Sequence, residues 1–210
     1  MTIAATPAAR RASAQRRLLT AARCRFAEDA LAEAVSAGTR QVVLLGTALD
    51  TFASHNPYPG LRVFEITGPD LDLASAAAEL DHHAAVFVIR LETGLPTTRR
   101  GSGDDVHATA AVPLPTGHRN CTSVTVTLQR VSALATGSEI VFDHPAHRTA
   151  ALPGFLNDTG FELLEDLGPR ELASRYLDRP IGSTHSSEPR VLRARVRHNA
   201  GRPPSSIVVR

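Results

Sequence analysis

Two residues in the first third of the chain have the spacing of a nucleotide site. Gly46 closes the apolar run QVVLL, and Glu65, about 20 residues on, closes a second run, LRVF. A glycine at such a turn lets backbone approach a ligand with no Cβ in the way. A carboxylate at the end of the next strand accepts hydrogen bonds from the two hydroxyls of an adenosine ribose. GTALDT has no second glycine, so the spacing also fits a buried strand that simply ends in Gly. Asp143 and His144, at the end of EIVFDHP, are the candidates for taking a proton from a hydroxyl acceptor. Their ordinary alternative is a strand-end acid and a surface histidine. His118 with Cys121, and Asp143 and His144 with His147, have ligating side chains, yet no CxxC or HExxH groups them, and no metal is expected. A GxSxG elbow is absent, and without any Lys a GxxxxGK[ST] phosphate loop is excluded.

These residues need strands that end at one rim. QVVLLG, LRVFEI and AAVFVIRL are short continuous apolar runs, as in strands buried on both faces of a parallel sheet. Ahead of them, Phe26, Ala30, Leu31, Ala34 and Val35 are spaced for one helix face, which Gly38 should stop. LDLASAAAELDHH reads as a helix, and ATAAVPLP as a fourth, short strand. CTSVTVTLQRVSALATG is ambiguous: SVTVTL suits a strand, whereas Val124, Leu128, Val131 and Leu134 make a helical stripe. SEIVFDHP is a strand, ALPGFLNDTG a short helix, FELLEDLG a strand, PRELASRYL a helix and PRVLRARV a last strand. The alternation predicts an α/β sheet with helical crossovers, with two late strands forming an antiparallel edge.

A chain of 210 residues, 42% hydrophobic and 21% charged, suits one domain with a sizeable core. All 23 basic residues are Arg. Residues 1–25 carry six Arg and no acid, and 185–210 six Arg and one acid, so 26–184 holds eleven Arg against twenty acids, a net of −9. Basic ends can meet anionic surfaces, but no aromatics interleave with these Arg to stack nucleic-acid bases. Cys24 and Cys121 lie far apart and read as reduced thiols. With no apolar leader and no run near 20 apolar residues, a cytoplasmic location is expected.

The stretch from Ala22 to Ile66 resembles the opening of the leucine carboxyl methyltransferase-like family of class I S-adenosylmethionine (SAM) methyltransferases. That family opens with an Arg-containing helix, an LGAGLDT turn and a VFEVD strand end. GFELLEDLGPRELASRYLDRP with RVLRARV resembles its last strands and helix, and TLQRVSALATGSEIVFDHP the segment between, so the resemblance covers roughly 21–95 and 124–197. It implies a three-layer sandwich around a mostly parallel, seven-stranded, Rossmann-like sheet with an antiparallel edge. It implies SAM as cofactor and a small-molecule acceptor, with no nucleic-acid or membrane partner; a homodimer could replace the family's longer N-terminal cap. Carried over by position, Arg23 matches an Arg that meets the SAM carboxylate, and Gly46 the first turn glycine. Leu49, Asp50 and Thr51 match LDT, with Thr47 and Ala48 completing the turn, and Glu65 matches the ribose acid. Three positions differ: Ala48 replaces the second glycine, Thr67 the acid after FEV, and Arg90 the Asp ending the third strand. The implied organisation is a basic, flexible arm at 1–20, the domain at 21–197 and a basic tail at 198–210. The leading function is methyl transfer to oxygen. A degenerate relative acting as a binding or scaffold partner, and a cyclase on the same scaffold, are the alternatives.

Overall fold

The computed structural model describes residues 6–46, 49, 52–67, 73–91, 118–146, 149–177 and 188–197. Helix α1 (Pro7–Ser36) opens the chain. Its first residue is proline, whose missing N–H costs nothing in a first turn. Leu19, Ala22, Arg23, Phe26, Ala27, Ala30, Leu31 and Ala34 are buried, the three-and-four spacing of one helix face. The helix closes in a Schellman motif: Gly38 N–H donates to Val35 O and Thr39 N–H to Ala34 O, with Gly38 at φ +110°. The expected stop at Gly38 is therefore present. The helix also reaches back to Pro7, through most of the basic stretch read as an arm at 1–20.

Strands β1 (Gln41–Leu45), β2 (Arg62–Ile66), β3 (Val86–Arg90) and β4 (Glu139–His144) are parallel, and β6 (Arg190–Val196) pairs antiparallel with both β4 and β5 (Phe161–Leu167). The order is β2-β1-β3-β4-β6-β5, six strands among the described residues. β1, β3 and β4 are buried along their whole length, which is why their sequences are apolar without alternation. Val42 and Leu44 pack on α1 with Phe87, Ile89 and Val141, while Val43, Leu45, Val86, Val88 and Ile140 face the opposite cluster. Each such Val, Leu or Ile contributes about 1.5–3 kcal/mol by leaving water.

Helix α5 (Pro169–Tyr176) joins α1 on one face through Leu172. Three helices, α2 (Ala74–Ala77), α3 (His118–Val131) and α4 (Leu152–Asp158), contribute Ala76, Leu128, Val131 and Leu156 to the other. The ambiguous segment is thus helical. Leu128 and Val131 are buried in its core stripe, and packing overrides the strand preference of its Val and Thr. The helix expected over LDLASAAAELDHH is reduced to four residues, and His82 and His83 lie exposed in the turn after it.

The expected antiparallel edge is present, formed by the two late strands β5 and β6. β5, the outermost strand, runs parallel to β1–β4, and the reversed strand is β6, inserted between β4 and β5. The α4 crossover carries the chain one strand too far, and β6 returns through α5 to fill the gap. The expected fourth strand, ATAAVPLP, lies outside the described residues, as do the loop before it and the tail after Arg197.

Candidate functional site

The sheet reverses its winding between β1 and β3. The chain leaving β1 packs Leu49, Phe52, Tyr58 and Leu61 on the α1 face, whereas β3 is followed in sequence by α3 on the other. Such a switch point opens a crevice beyond the carboxyl ends of the strands, where ligands of doubly wound sheets bind. Gly46 stands at its lip with φ +96°, a backbone region that strains any residue with a Cβ. Its N–H donates to Ile66 O at 2.9 Å, tying the turn to the end of β2. Thr47, Ala48, Asp50 and Thr51 lie outside the described residues; Leu49 is buried in the α1-side core. Glu65, one residue before the end of β2, is exposed and pairs in register with Leu44, so it faces the α1 side of an edge strand. Thr67 follows β2, exposed.

Arg23 and Asp143, singled out separately from the sequence, meet each other. Arg23 lies on the buried face of α1, and Asp143 follows Val141 on the face of β4 that α1 covers. The Arg23 Nη1 donates to Asp143 Oδ2 at 3.2 Å, with side chains only 8% and 6% exposed, and Nη2 reaches Thr20 Oγ1 at 3.2 Å. This ion pair fixes α1 over the carboxyl rim of the sheet. A ligand carboxylate seeking Arg23 meets it already engaged by Asp143.

His144 points to the other face. Its Nε2 lies 3.3 Å from Asp166 Oδ1 on β5, and its Nδ1 lies 3.2 Å from Pro145 O. Arg190, its register partner on β6, donates Nε to Asp166 Oδ1 at 2.9 Å and Nη2 to Asp166 O at 3.1 Å. Burial by itself raises the Asp166 pKa, but hydrogen bonds from His144 and Arg190 and their charges outweigh it and hold the carboxyl below the usual Asp value. Gly168 makes room for this group: a Cβ there would sit 2.5 Å from Arg190 Nη1 and 2.7 Å from Glu171 Oε2. Sequence reasoning missed Asp166 and Arg190. The available signal was an acid and an Arg at the rim ends of two neighbouring strands.

Arg90 ends β3 on the α3 side, buried, with Nη1 3.3 Å from Thr127 Oγ1. At the opposite end of β4, Glu139 accepts from Arg193 Nε at 2.7 Å and from Arg195 at 2.8 and 2.9 Å, and Arg193 reaches Glu33 on α1 at 2.6 Å. A depression of about 450 Å³ lies there, lined by Ala34, Gly38, Gly137, Glu139 and Arg195. It is remote from the crevice, and the arginines already occupy its carboxylate. Among the described residues no three His, Cys, Asp or Glu side chains are placed to hold a metal ion, and no helix is long and apolar enough to cross a membrane.

Residues 2–85 match the family model described as leucine carboxyl methyltransferase. The resemblance read from the opening motif is thus borne out over α1, β1, β2 and α2, which carry Arg23, Gly46 and Glu65; the match stops before β3. Over 92 residues the chain is 36% identical to a Mycolicibacterium gilvum protein, covering 40% of this chain and 30% of the relative. It is 50% identical over 52 residues to a Parafrankia protein, 24% of this chain and 17% of the relative, and 35% identical over 94 residues to a Mycobacterium ulcerans protein, 40% and 30%. All three are named "Putative S-adenosyl-L-methionine-dependent methyltransferase". The alignments span a third or less of these curated relatives.

Proposed function

We propose that this chain is a SAM-dependent methyltransferase domain that methylates an oxygen of a small molecule, with a carboxylate as the favoured acceptor. The observation that carries the reading is a coincidence of place. The segment similar to leucine carboxyl methyltransferases carries Arg23 on the helix that packs over β1 and Gly46 and Glu65 at the carboxyl ends of β1 and β2, the rim where ligands of such sheets bind. We read that sheet as the three-layer, seven-stranded class I methyltransferase sandwich, in a cytoplasmic protein.

The donor set fits the cofactor. Arg23 would hold the carboxylate of SAM after exchanging it for Asp143; Gly46 would admit the methionine portion against bare backbone; Glu65 would accept from the ribose hydroxyls. SAM supplies a methyl group on a sulfonium, a strong leaving group. The chain then has to align acceptor and methyl in line and exclude water. A phenol or alcohol acceptor gains from a general base, but a carboxylate needs none. Both ring nitrogens of His144 face acceptors, so His144 presents no base to the crevice, which favours a carboxylate.

The test is label transfer from methyl-labelled SAM to a panel of small carboxylic acids and phenols. Label in base-labile methyl esters is the expected outcome, and label confined to phenol ethers would overturn the carboxylate assignment. A second reading, a scaffold of the same fold without methyl transfer, is favoured by the Arg23–Asp143 contact, because an intramolecular carboxylate already occupies the guanidinium that would hold the cofactor's carboxylate.

A further inference from the structure

We propose that Arg23 and Asp143 together form the subsite for the amino-acid end of the cofactor, the pair opening so that Arg23 takes the carboxylate and Asp143 the ammonium. The inference rests on the SAM reading above and adds a residue to that site. The methionine end of SAM is a zwitterion, a carboxylate and an ammonium on one carbon. A buried Arg beside a buried Asp is the matching pair of charges, already assembled and already neutral.

Arg23 lies on α1 and Asp143 near the carboxyl end of β4, so the pair stands at the ligand-binding rim. Its contact, Nη1 to Oδ2 at 3.2 Å, is longer than the roughly 2.7–2.9 Å of a tight charge-assisted hydrogen bond. The other buried Arg–carboxylate contact among the described residues, Arg193 with Glu139 at the amino end of β4, is closed at 2.7 Å and completed by Arg195 and Glu33. Of the described acids on strand ends at the carboxyl rim, Glu65 is assigned to the ribose, Glu165 is held by Arg175 at 2.7 Å and Asp166 by Arg190 at 2.9 Å. Asp143 is the one whose Arg the cofactor itself draws away. A carboxylate arriving alone on Arg23 would take that positive charge from buried Asp143 and set a second negative group beside it, both of which are unfavourable. An ammonium arriving with the carboxylate gives each buried charge a new counter-charge, so one ion pair becomes two. It also keeps Asp143 occupied once the cofactor is in place.

The experiment is isothermal titration of the full chain with four ligands. S-adenosylhomocysteine carries both charges of the methionine end, its deaminated analogue only the carboxylate, its decarboxylated analogue only the ammonium, and methylthioadenosine neither. S-adenosylhomocysteine should bind at least about tenfold tighter than methylthioadenosine, with each single-charge analogue within about threefold of methylthioadenosine or weaker. Asp143→Asn should bring S-adenosylhomocysteine down to the level of methylthioadenosine while methylthioadenosine itself binds as to the parent, a selective loss that damaged folding does not produce. If that variant loses the parent's far-ultraviolet circular dichroism at the assay temperature, Arg23→Met/Asp143→Leu replaces it with the same expectation. A deaminated analogue within about threefold of S-adenosylhomocysteine overturns the proposal, because Arg23 would then hold the carboxylate without Asp143. So does a variant that keeps the parent's preference for S-adenosylhomocysteine. Equal affinity for all four ligands leaves the SAM reading standing and overturns this subsite, whereas no binding of any of them up to millimolar concentration overturns both.

Discussion

Replacing Asp143 with Asn tests the geometry of the carboxyl rim. The Arg23 and Asp143 side chains are 8% and 6% exposed and 120 positions apart in sequence, so the pair ties α1 to β4 across the core. Losing one partner strands a buried guanidinium, at a cost of about 3–5 kcal/mol. For a domain of this size each kcal/mol moves the melting temperature by about 2–4 °C, so Asp143→Asn should lower it by roughly 6–20 °C. The chain has no Trp, so unfolding in urea is best followed by far-ultraviolet circular dichroism. Two controls separate the charge from the packing. The double replacement Arg23→Met/Asp143→Leu should return to within about 1 kcal/mol of the parent or exceed it, since apolar side chains of similar volume need no counter-ion. Arg25→Ala, which breaks exposed contacts to Glu28 and Asp29, should change stability by less than about 0.5 kcal/mol. An Asp143→Asn protein as stable as the parent within about 0.5 kcal/mol would refute the buried pair.

Gly46→Ala, at φ +96°, should cost about 1–3 kcal/mol by the same denaturation assay, the strain of a Cβ in that backbone region. The carboxyl of Asp166 is held below its ordinary value, so its stabilisation is fully present above about pH 4 and is lost as pH falls through the lowered folded value. Asp166→Asn should therefore lose less stability than the parent on acidification below about pH 4. Burial, above all, pushes the Tyr176 phenol up to about 12. In a Tyr58→Phe protein the one remaining tyrosine should ionise near that pH in an ultraviolet titration, and the stability it contributes should fade as pH rises from about 10 through 12.

Much of the frame was legible in the sequence because its signals are local. QVVLL, VFVIR and EIVFDH are continuous apolar runs, and such runs become central parallel strands. The α1 stripe and its Gly38 stop follow from helical periodicity and from the one residue that tolerates positive φ. What stayed hidden depends on partners distant in the chain. Arg23 reads as a surface helix residue or a ligand-binding Arg until β4 is threaded and Asp143 falls on the α1 side. Arg193 looks like the polar half of an alternating strand, yet it is buried because Glu139 and Glu33 neutralise it from a neighbouring strand and from α1. The placing of β6 between β4 and β5 likewise reflects a crossover length, which no single residue encodes. His144 looked available as a base because Asp166 lies 22 positions away on a strand that pairs only through β6.

The central claim is a cofactor site built from Arg23, Gly46 and Glu65, and isothermal titration with S-adenosylhomocysteine tests it most directly. The account predicts binding at tens of micromolar or tighter, about −6 kcal/mol or better. Glu65→Ala, an exposed position whose loss leaves the fold intact, should abolish that binding. No heat up to millimolar ligand, or equal binding by the Glu65→Ala protein, would contradict it.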